Sequence, residues 1–279
     1  MVHRKIIVAA GAGAYPRLLV EGAKRAGVAN VTVVAIRGST ERATLAAADD
    51  VHWVTLGQIA EGIRWIGRQN ADGLMLAGQV NPLSLFRGRF DEEVKGWLRE
   101  LKVKNAHTIF GKLAEKVRAT GTEILPASLY MDGSMPGEGV LTERAPDEAE
   151  LCDIRHAATV ARDVGAHDVG QTVMVNSGMV VAVEAFEGTN AAIRRGGRLA
   201  PRGSVVFKAA REGHDMRFDI PVVGLKTLKV MHRAGATALA FQAGRLVLLE
   251  RQKVVDYANS RSIAIMGIES GLPHAPLRV

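Results

Sequence analysis

The chain holds a single cysteine, Cys152, in 279 residues. That excludes an intramolecular disulfide and accords with a reducing compartment. Phe, Trp and Tyr together make only 5% of the composition, too few for the stacked aromatic platforms that hold single-stranded nucleic acid. No apolar run approaches the ~18 residues a spanning helix needs. The opening "MVHRKIIVAAGAGAYP" reaches Gly, Tyr and Pro after a short apolar run, so it reads as a first strand rather than a secretory signal. There is no zinc-ligand spacing, no G-x-S-x-G elbow and no Walker sequence. What remains is the expectation of a soluble, cytoplasmic α/β protein.

Positive charge is in surplus, at a formal +7, which favours anionic partners. The lysines and arginines are scattered, with no basic run interleaved with aromatics. Phosphate-bearing small molecules or a membrane surface fit this pattern better than nucleic acid.

The first 130 residues alternate apolar strands ("KIIVAA", "VTVVAI", "HWVTL", "GLMLAG") with helical stretches such as "PRLLVEGAKRAG" and "GQIAEGIRWIGRQNA". Strands apolar throughout and separated by helices predict a doubly wound, Rossmann-like parallel sheet. Residues 131–146, "MDGSMPGEGVLTERAP", are rich in Gly and Pro and read as a linker. Residues 147–279 predict a mixed α+β domain. It opens on the helix "DEAELCDIRHAATVARDVG", with Cys152 in its core-facing stripe, and continues into a hairpin at Asn176-Ser177-Gly178. Gln242-Ala243-Gly244 marks a further turn.

Three clusters could carry chemistry. Gly11 and Gly13 lie between a strand and a helix, where bare backbone lets amides approach an anion. Pro16 occupies the third glycine position of a dinucleotide fingerprint, so the alternative is a tight turn with no ligand. In "EAFEGTN", Glu184 and Glu187 end an apolar strand, and Arg194 and Arg195 follow within two turns. This is a meeting place for metal and anion, or a surface helix capped by Thr189 or Asn190. In "KAAREGHDMRFDIPVVG", alternation places Asp215, Arg217 and Asp219 on one face, near Lys208, Arg211 and His214. Such a group could hold Mg²⁺ and phosphate, or be a solvated loop.

The segments "DVGQTVMVNSGMVVAVEAFEGTNAAIRRGG", "VVFKAAREGHDMRFDIPVVGLKT" and "QAGRLVLLERQKVV…IMGIE" resemble the two-domain UDP-2,3-diacylglucosamine pyrophosphatase family of bacterial lipid A synthesis. In the first half, "AGAGAYP" is similar to that family's glycine-rich opening and "LAGQV" to its A-G-N-V turn, with Gln79 in place of asparagine. The resemblance implies Mg²⁺-dependent hydrolysis of the UDP-linked diacyl sugar to UMP and 2,3-diacylglucosamine 1-phosphate. It further implies two domains that clasp the substrate, a homodimer, and peripheral contact with the inner membrane. By the same resemblance Asp219 is an essential catalytic residue; Mg²⁺, held by one or two carboxylates, would use Asp219 with Glu184 or Glu187, and Arg217 would join catalysis by stabilising the developing charge. Gly11, Gly13, Gln79, Gly188, Thr189, Asn190, Arg194, Lys208 and Arg211 are expected to bind substrate. Asn190 stands where the family carries aspartate, which motivates an alternative: a weak or inactive paralogue that binds a glycolipid phosphate or nucleotide.

Overall fold

The computed structural model describes residues 2–79, 90–102, 106–210 and 220–269, which fall into two compact units that divide at Asp132 and Gly133. In the first unit, strands β1 (Lys5–Ala10), β2 (Asn30–Ile36), β3 (Asp50–Val54) and β4 (Gly73–Ala77) form one sheet in the order β3-β2-β1-β4. Every pair in it is parallel. Helices α1 (Tyr15–Arg25), α2 (Arg42–Ala47) and α3 (Ile59–Gly67) make the crossovers. α4 (Glu92–Arg99) and α5 (Ala106–Arg118) follow. α1 packs on α2, while α3 and α5 share an apolar cluster with Ile7, Val34 and Leu74. Both faces are therefore covered, which is why these strands read as unbroken apolar runs. Because β1 sits between β2 and β4, chain direction across the sheet reverses beside β1. In open α/β sheets, ligands bind at that switch point.

The second unit is mixed. Its strands are β5 (Gly139–Val140), β6 (Thr172–Asn176), β7 (Met179–Val183), β8 (Ser204–Lys208), β9 (Val222–Val223), β10 (Ala236–Gln242), β11 (Val247–Leu248) and β12 (Ala264–Ile268). Six form a sheet in the order β5-β12-β10-β8-β6-β7. β12, β10 and β8 run parallel, and β6, β7 and β5 join antiparallel. Helix α6 (Glu148–Ala166) covers one face through Ile154, Ala157 and Ala161. Helices α7 (Thr189–Leu199), α8 (Leu225–Arg233) and α9 (Arg251–Asn259) cover the other through Ile193, Leu228, Met231 and Val254. Strand residues alternate between these two clusters as the pleat requires: Val173 and Val175 face α6, and Met174 faces α7.

The hairpin at Ser177-Gly178 has positive φ at both turn residues, 49° and 79°, as the primed turn demands. Buried Asp153 of α6 accepts both turn amides, at 2.8 and 2.7 Å. Cys152 does not join the core. It is exposed, because the buried stripe runs Ile154, Ala157, Ala161 and a residue two before Ile154 points about 200° around the helix. The turn at Gln242-Ala243-Gly244 does not fold β11 back onto β10. β11 pairs in parallel with β9 instead.

Of segment 131–146, expected as a linker, residues 133–146 belong to the second unit. Gly139–Val140 adds an edge strand to β12, Leu141 N–H donates to Ile265 O at 2.8 Å, and Pro136 O accepts from Gly244 N–H at 2.9 Å. These are backbone contacts, which hydrophobic periodicity does not register. Arg144 completes the docking with a two-pronged bond to Glu150, at 2.7 and 2.9 Å. Glu150 also closes a capping box with Asp147 at the start of α6. Burial works to raise the Glu150 carboxyl, but Arg144, Thr237 and the Asp147 amide outweigh it and hold the group below its ordinary range. A depressed carboxylate stabilises the fold above its unfolded value and loses that stabilisation as pH falls through the folded one. Arg144→Met is therefore expected to cost about 1–3 kcal/mol at neutral pH. The deficit should shrink below pH ~4. Urea midpoints at neutral and acid pH test this, and a deficit that stays constant on acidification would remove the ion pair as its source.

Candidate functional site

The two glycine-containing turns of the first unit meet. Ala12 and Gln79 exchange backbone hydrogen bonds, 2.8 Å from Ala12 N–H to Gln79 O and 2.9 Å in return. Gly11 N–H donates to Ala77 O at 2.8 Å. A Cβ on Gly11 would lie 2.6 Å from the Gln79 carbonyl oxygen, so only glycine permits the approach. Gly13 lies in the left-handed region at φ 93°. The turn leads into α1, whose first residues include Pro16 and which has no side-chain cap. Gly11, Gly13 and Gln79 are thus gathered at the ends of β1 and β4, the reversal point of the sheet.

In the second unit, β7 ends at Val183, and Glu184 continues its pairing by donating its N–H to Thr172 O at 2.8 Å. The chain then turns through Gly188, the N-cap of α7, at φ 81°. Neither Thr189 nor Asn190 caps the helix, because both already lie within its first turn. The Thr189 hydroxyl instead donates to the Glu184 carboxylate, 3.0 Å from each oxygen. The same hydroxyl oxygen accepts from Lys208 Nζ at 2.9 Å. Lys208 closes β8, is almost wholly buried, and also donates to Val222 O at 3.2 Å. A hydroxyl has one proton and lone pairs to spare, so accepting from an ammonium and giving to a carboxylate fixes its direction. The result is an ordered chain, Lys208–Thr189–Glu184, at the positive end of a helix.

Glu187 takes no part in this chain. It pairs with Arg195 at 2.6 Å, and that contact chiefly holds its carboxyl below the ordinary range. The arginine that meets the acid is therefore Arg195. Arg194 is exposed and makes no ion pair among the described residues. Asn190 Oδ1 is buried and has no hydrogen-bond partner among the described residues. A buried acceptor left unpaired costs stability and marks a place where a donor or a cation can be taken up. Arg211, Arg217 and Asp219 lie outside the described residues.

Among the described residues no three His, Cys, Asp or Glu side chains converge as a metal cluster. The donors available do fit Mg²⁺ in kind, since it prefers oxygen and commonly takes one or two carboxylates and completes its shell with water and substrate. Glu184, hydrogen-bonded to Thr189, and Asn190, the next residue of α7, both carry hard oxygens. Thr172 and Gly170 were not singled out from the sequence. Thr172 pairs with Lys208 across β6 and β8 and places its hydroxyl 3.4 Å from that of Thr189. Gly170 lies against the Glu184 backbone. The strand pairing would have revealed the first; nothing local signals the second.

Fold and site together define a two-unit α/β protein with a buried ammonium, a hydroxyl and a carboxylate assembled at a helix entrance. Residues 5–134 match the LpxI N-terminal domain and residues 137–266 the LpxI C-terminal domain. The UDP-2,3-diacylglucosamine pyrophosphatase LpxI of Caulobacter vibrioides is 28% identical over 95% of this chain and 98% of its own length. The chain belongs to the LpxI family. Two solved structures align at a TM-score of 0.24 each: glycinamide-RNase-transformylase T from Mycobacterium tuberculosis and a biotin carboxylase-beta-gamma-ATP complex from Campylobacter jejuni. They are 20% and 12% identical, over 65% and 70% of this chain. The chain spans less than half of either, 44% and 42%, and at that score neither bears on the fold.

Proposed function

We propose that this protein hydrolyses the pyrophosphate of UDP-2,3-diacylglucosamine, giving UMP and 2,3-diacylglucosamine 1-phosphate for lipid A synthesis. Membership of the LpxI family supports the substrate, and the Lys208–Thr189–Glu184 chain is the observation that carries the chemistry. Severing a pyrophosphate demands neutralisation of phosphoryl oxygens and a placed water more than it demands a covalent step. Lys208 and the α7 amides supply positive potential at one place. Thr189 holds Glu184 in a fixed orientation there, so its carboxylate is set to face a cation or to orient water.

Mg²⁺, when bound, would screen charge on the phosphoryl oxygens. Of the two acids on the "EAFEGTN" turn, Glu184 suits that role, since Glu187 is already neutralised by Arg195. Asp219 is proposed as the second carboxylate and Arg217 as a phosphate contact, both on the family resemblance alone. Gly11, Gly13 and Gln79 are proposed to bind substrate through backbone groups at the sheet's reversal point. A homodimer and peripheral attachment to the cytoplasmic face of the inner membrane complete the proposal. Among the described residues no helix is long and apolar enough to cross a membrane.

The test is direct. The chain, incubated with UDP-2,3-diacylglucosamine and Mg²⁺, is expected to release UMP, and chelation with EDTA should stop it. Asp219→Ala serves as the blank. Release no greater than that blank, from a protein that still binds the substrate, would replace hydrolysis with the binding-only reading that Asn190 motivates.

A further inference from the structure

Helices α7 and α8 lie side by side on the second unit, in contact where Gly197 meets Ala234, the residue that ends α8. Their inward residues join one apolar cluster. Their outward residues are Arg194, Arg195, Arg198 and Leu199 on α7, and Lys226, Lys229 and Arg233 on α8, all exposed. Neither helix contains an aspartate or glutamate. Arg195 is neutralised by Glu187, but the other five cations make no ion pair among the described residues. Among the described residues, the other helices of this unit mix signs. On α6, Glu148 and Asp163 accompany Arg155 and Arg162; on α9, Asp256 accompanies Arg251, and Lys253 pairs with Glu250. Among the described helices of this unit, α7 and α8 are the ones with no acid to balance their cations.

Helix stability does not explain this pattern. Arg198 and Arg233 sit in last turns, where the dipole welcomes a cation, but Lys226 sits in a first turn, where it does not. At the end of α7 Leu199 stands 70% exposed next to Arg198, on the stripe that also carries Arg195. Cations beside an exposed leucine match an anionic bilayer surface, which offers lipid phosphates to the charges and an acyl boundary to the side chain. A second copy of the chain is a poor occupant, because a two-fold interface would set this face against itself, cation to cation.

We infer that the α7–α8 face docks the protein on anionic lipid bilayers. This rests on the membrane contact in the proposed function and sharpens it by naming its surface. It also ties docking to catalysis mechanically: α7 begins at Thr189 in the site and ends at Leu199 on the docking face.

Sedimentation with vesicles of phosphatidylcholine, with and without about one-third phosphatidylglycerol, tests the inference without any nucleotide sugar, so that failed docking and failed hydrolysis are separate results. Wild type should bind the anionic vesicles and not the neutral ones, and added salt should weaken binding. The variant Arg198→Gln/Lys226→Gln/Lys229→Gln/Arg233→Gln should bind roughly 30-fold or more weakly. The set Arg25→Gln/Arg42→Gln/Arg68→Gln/Arg118→Gln removes the same charge from exposed positions of the first unit and should bind like wild type. If the helix-face variant melts early, Lys226→Gln/Lys229→Gln replaces it, with a loss of roughly fivefold expected. Absence of wild-type binding, equal binding to neutral vesicles, or an equal loss in the first-unit set would overturn the inference. So would tighter binding of a DNA duplex through the same four cations.

Discussion

Replacing Lys208 with methionine is expected to lower turnover by about 10²–10³-fold in a protein that still folds. The ammonium is almost wholly buried at the end of β8 and holds both Thr189 Oγ1 and Val222 O. Methionine keeps much of the apolar stem but removes the charge, leaving the Thr189 hydroxyl to serve Glu184 without an opposing cation. Two losses follow. The site loses the positive potential that Lys208 adds to the α7 amides, and the hydroxyl loses the donor that fixes its direction. The stability cost should be about 1–3 kcal/mol, from the Val222 carbonyl left without this donor and the carboxylate–hydroxyl pair left unbalanced. Steady-state UMP release and a urea melt separate the two effects. Turnover within threefold of wild type, in a folded variant, would mean that the chain is only a structural bracket for β8 and α7.

Thr189→Val sharpens the reading, because it cuts the link while leaving both charges. If orientation of Glu184 matters as well as charge, this variant should lose turnover too, by roughly tenfold or more, with little change in KM. Asn190 bears on the same point. Its buried Oδ1, unpartnered among the described residues, leaves the helix entrance with an acceptor still to be satisfied.

Much of this architecture was legible in the residues, and the exceptions have physical causes. Apolar strands alternating with helices predicted the doubly wound first unit, since burial on both faces leaves a continuous apolar run. The Ser177-Gly178 turn was legible because its two positive φ values restrict the choice of residue. By contrast, β9 and β11 are two residues each and pair across intervening chain, so periodicity has nothing to measure. At the site, "EAFEGTN" was found, but its internal pairing was not. Arg195 rather than Arg194 reaches Glu187 because α7 begins at Thr189, a phase that residue spacing alone does not settle. Lys208 was singled out for its charge. That its partner is a hydroxyl, with the carboxylate one bond further, depends on α7 bringing Thr189 back to the strand end where Lys208 pairs with Thr172.

The least legible element has the second large consequence. Gly170 precedes β6, and a Cβ there would overlap the Glu184 carbonyl oxygen and lie 2.7 Å from its carbon. Real side chains do not tolerate such a contact, and the obstacle is backbone, which cannot rotate aside. Gly170→Ala must therefore shift the strand end that carries Glu184. The stability cost of the added methyl is expected to be about 1–3 kcal/mol. A separate catalytic cost is expected, because displacement of about 1 Å at a reacting group can lower turnover on the order of 10²-fold. Side-chain polarity plays no part in this, since the clash is with Cβ itself, so Gly170→Ser should behave like alanine. The control is Gly178→Ala, at the far end of the same hairpin, where an added Cβ meets nothing within 4 Å but φ is 79°. That change strains the turn and should destabilise the fold without moving Glu184, so turnover per folded molecule should hold. If both glycine variants lose stability and neither loses turnover, the position of Glu184 does not control the reaction, and the carboxylate that does must be sought elsewhere in the chain.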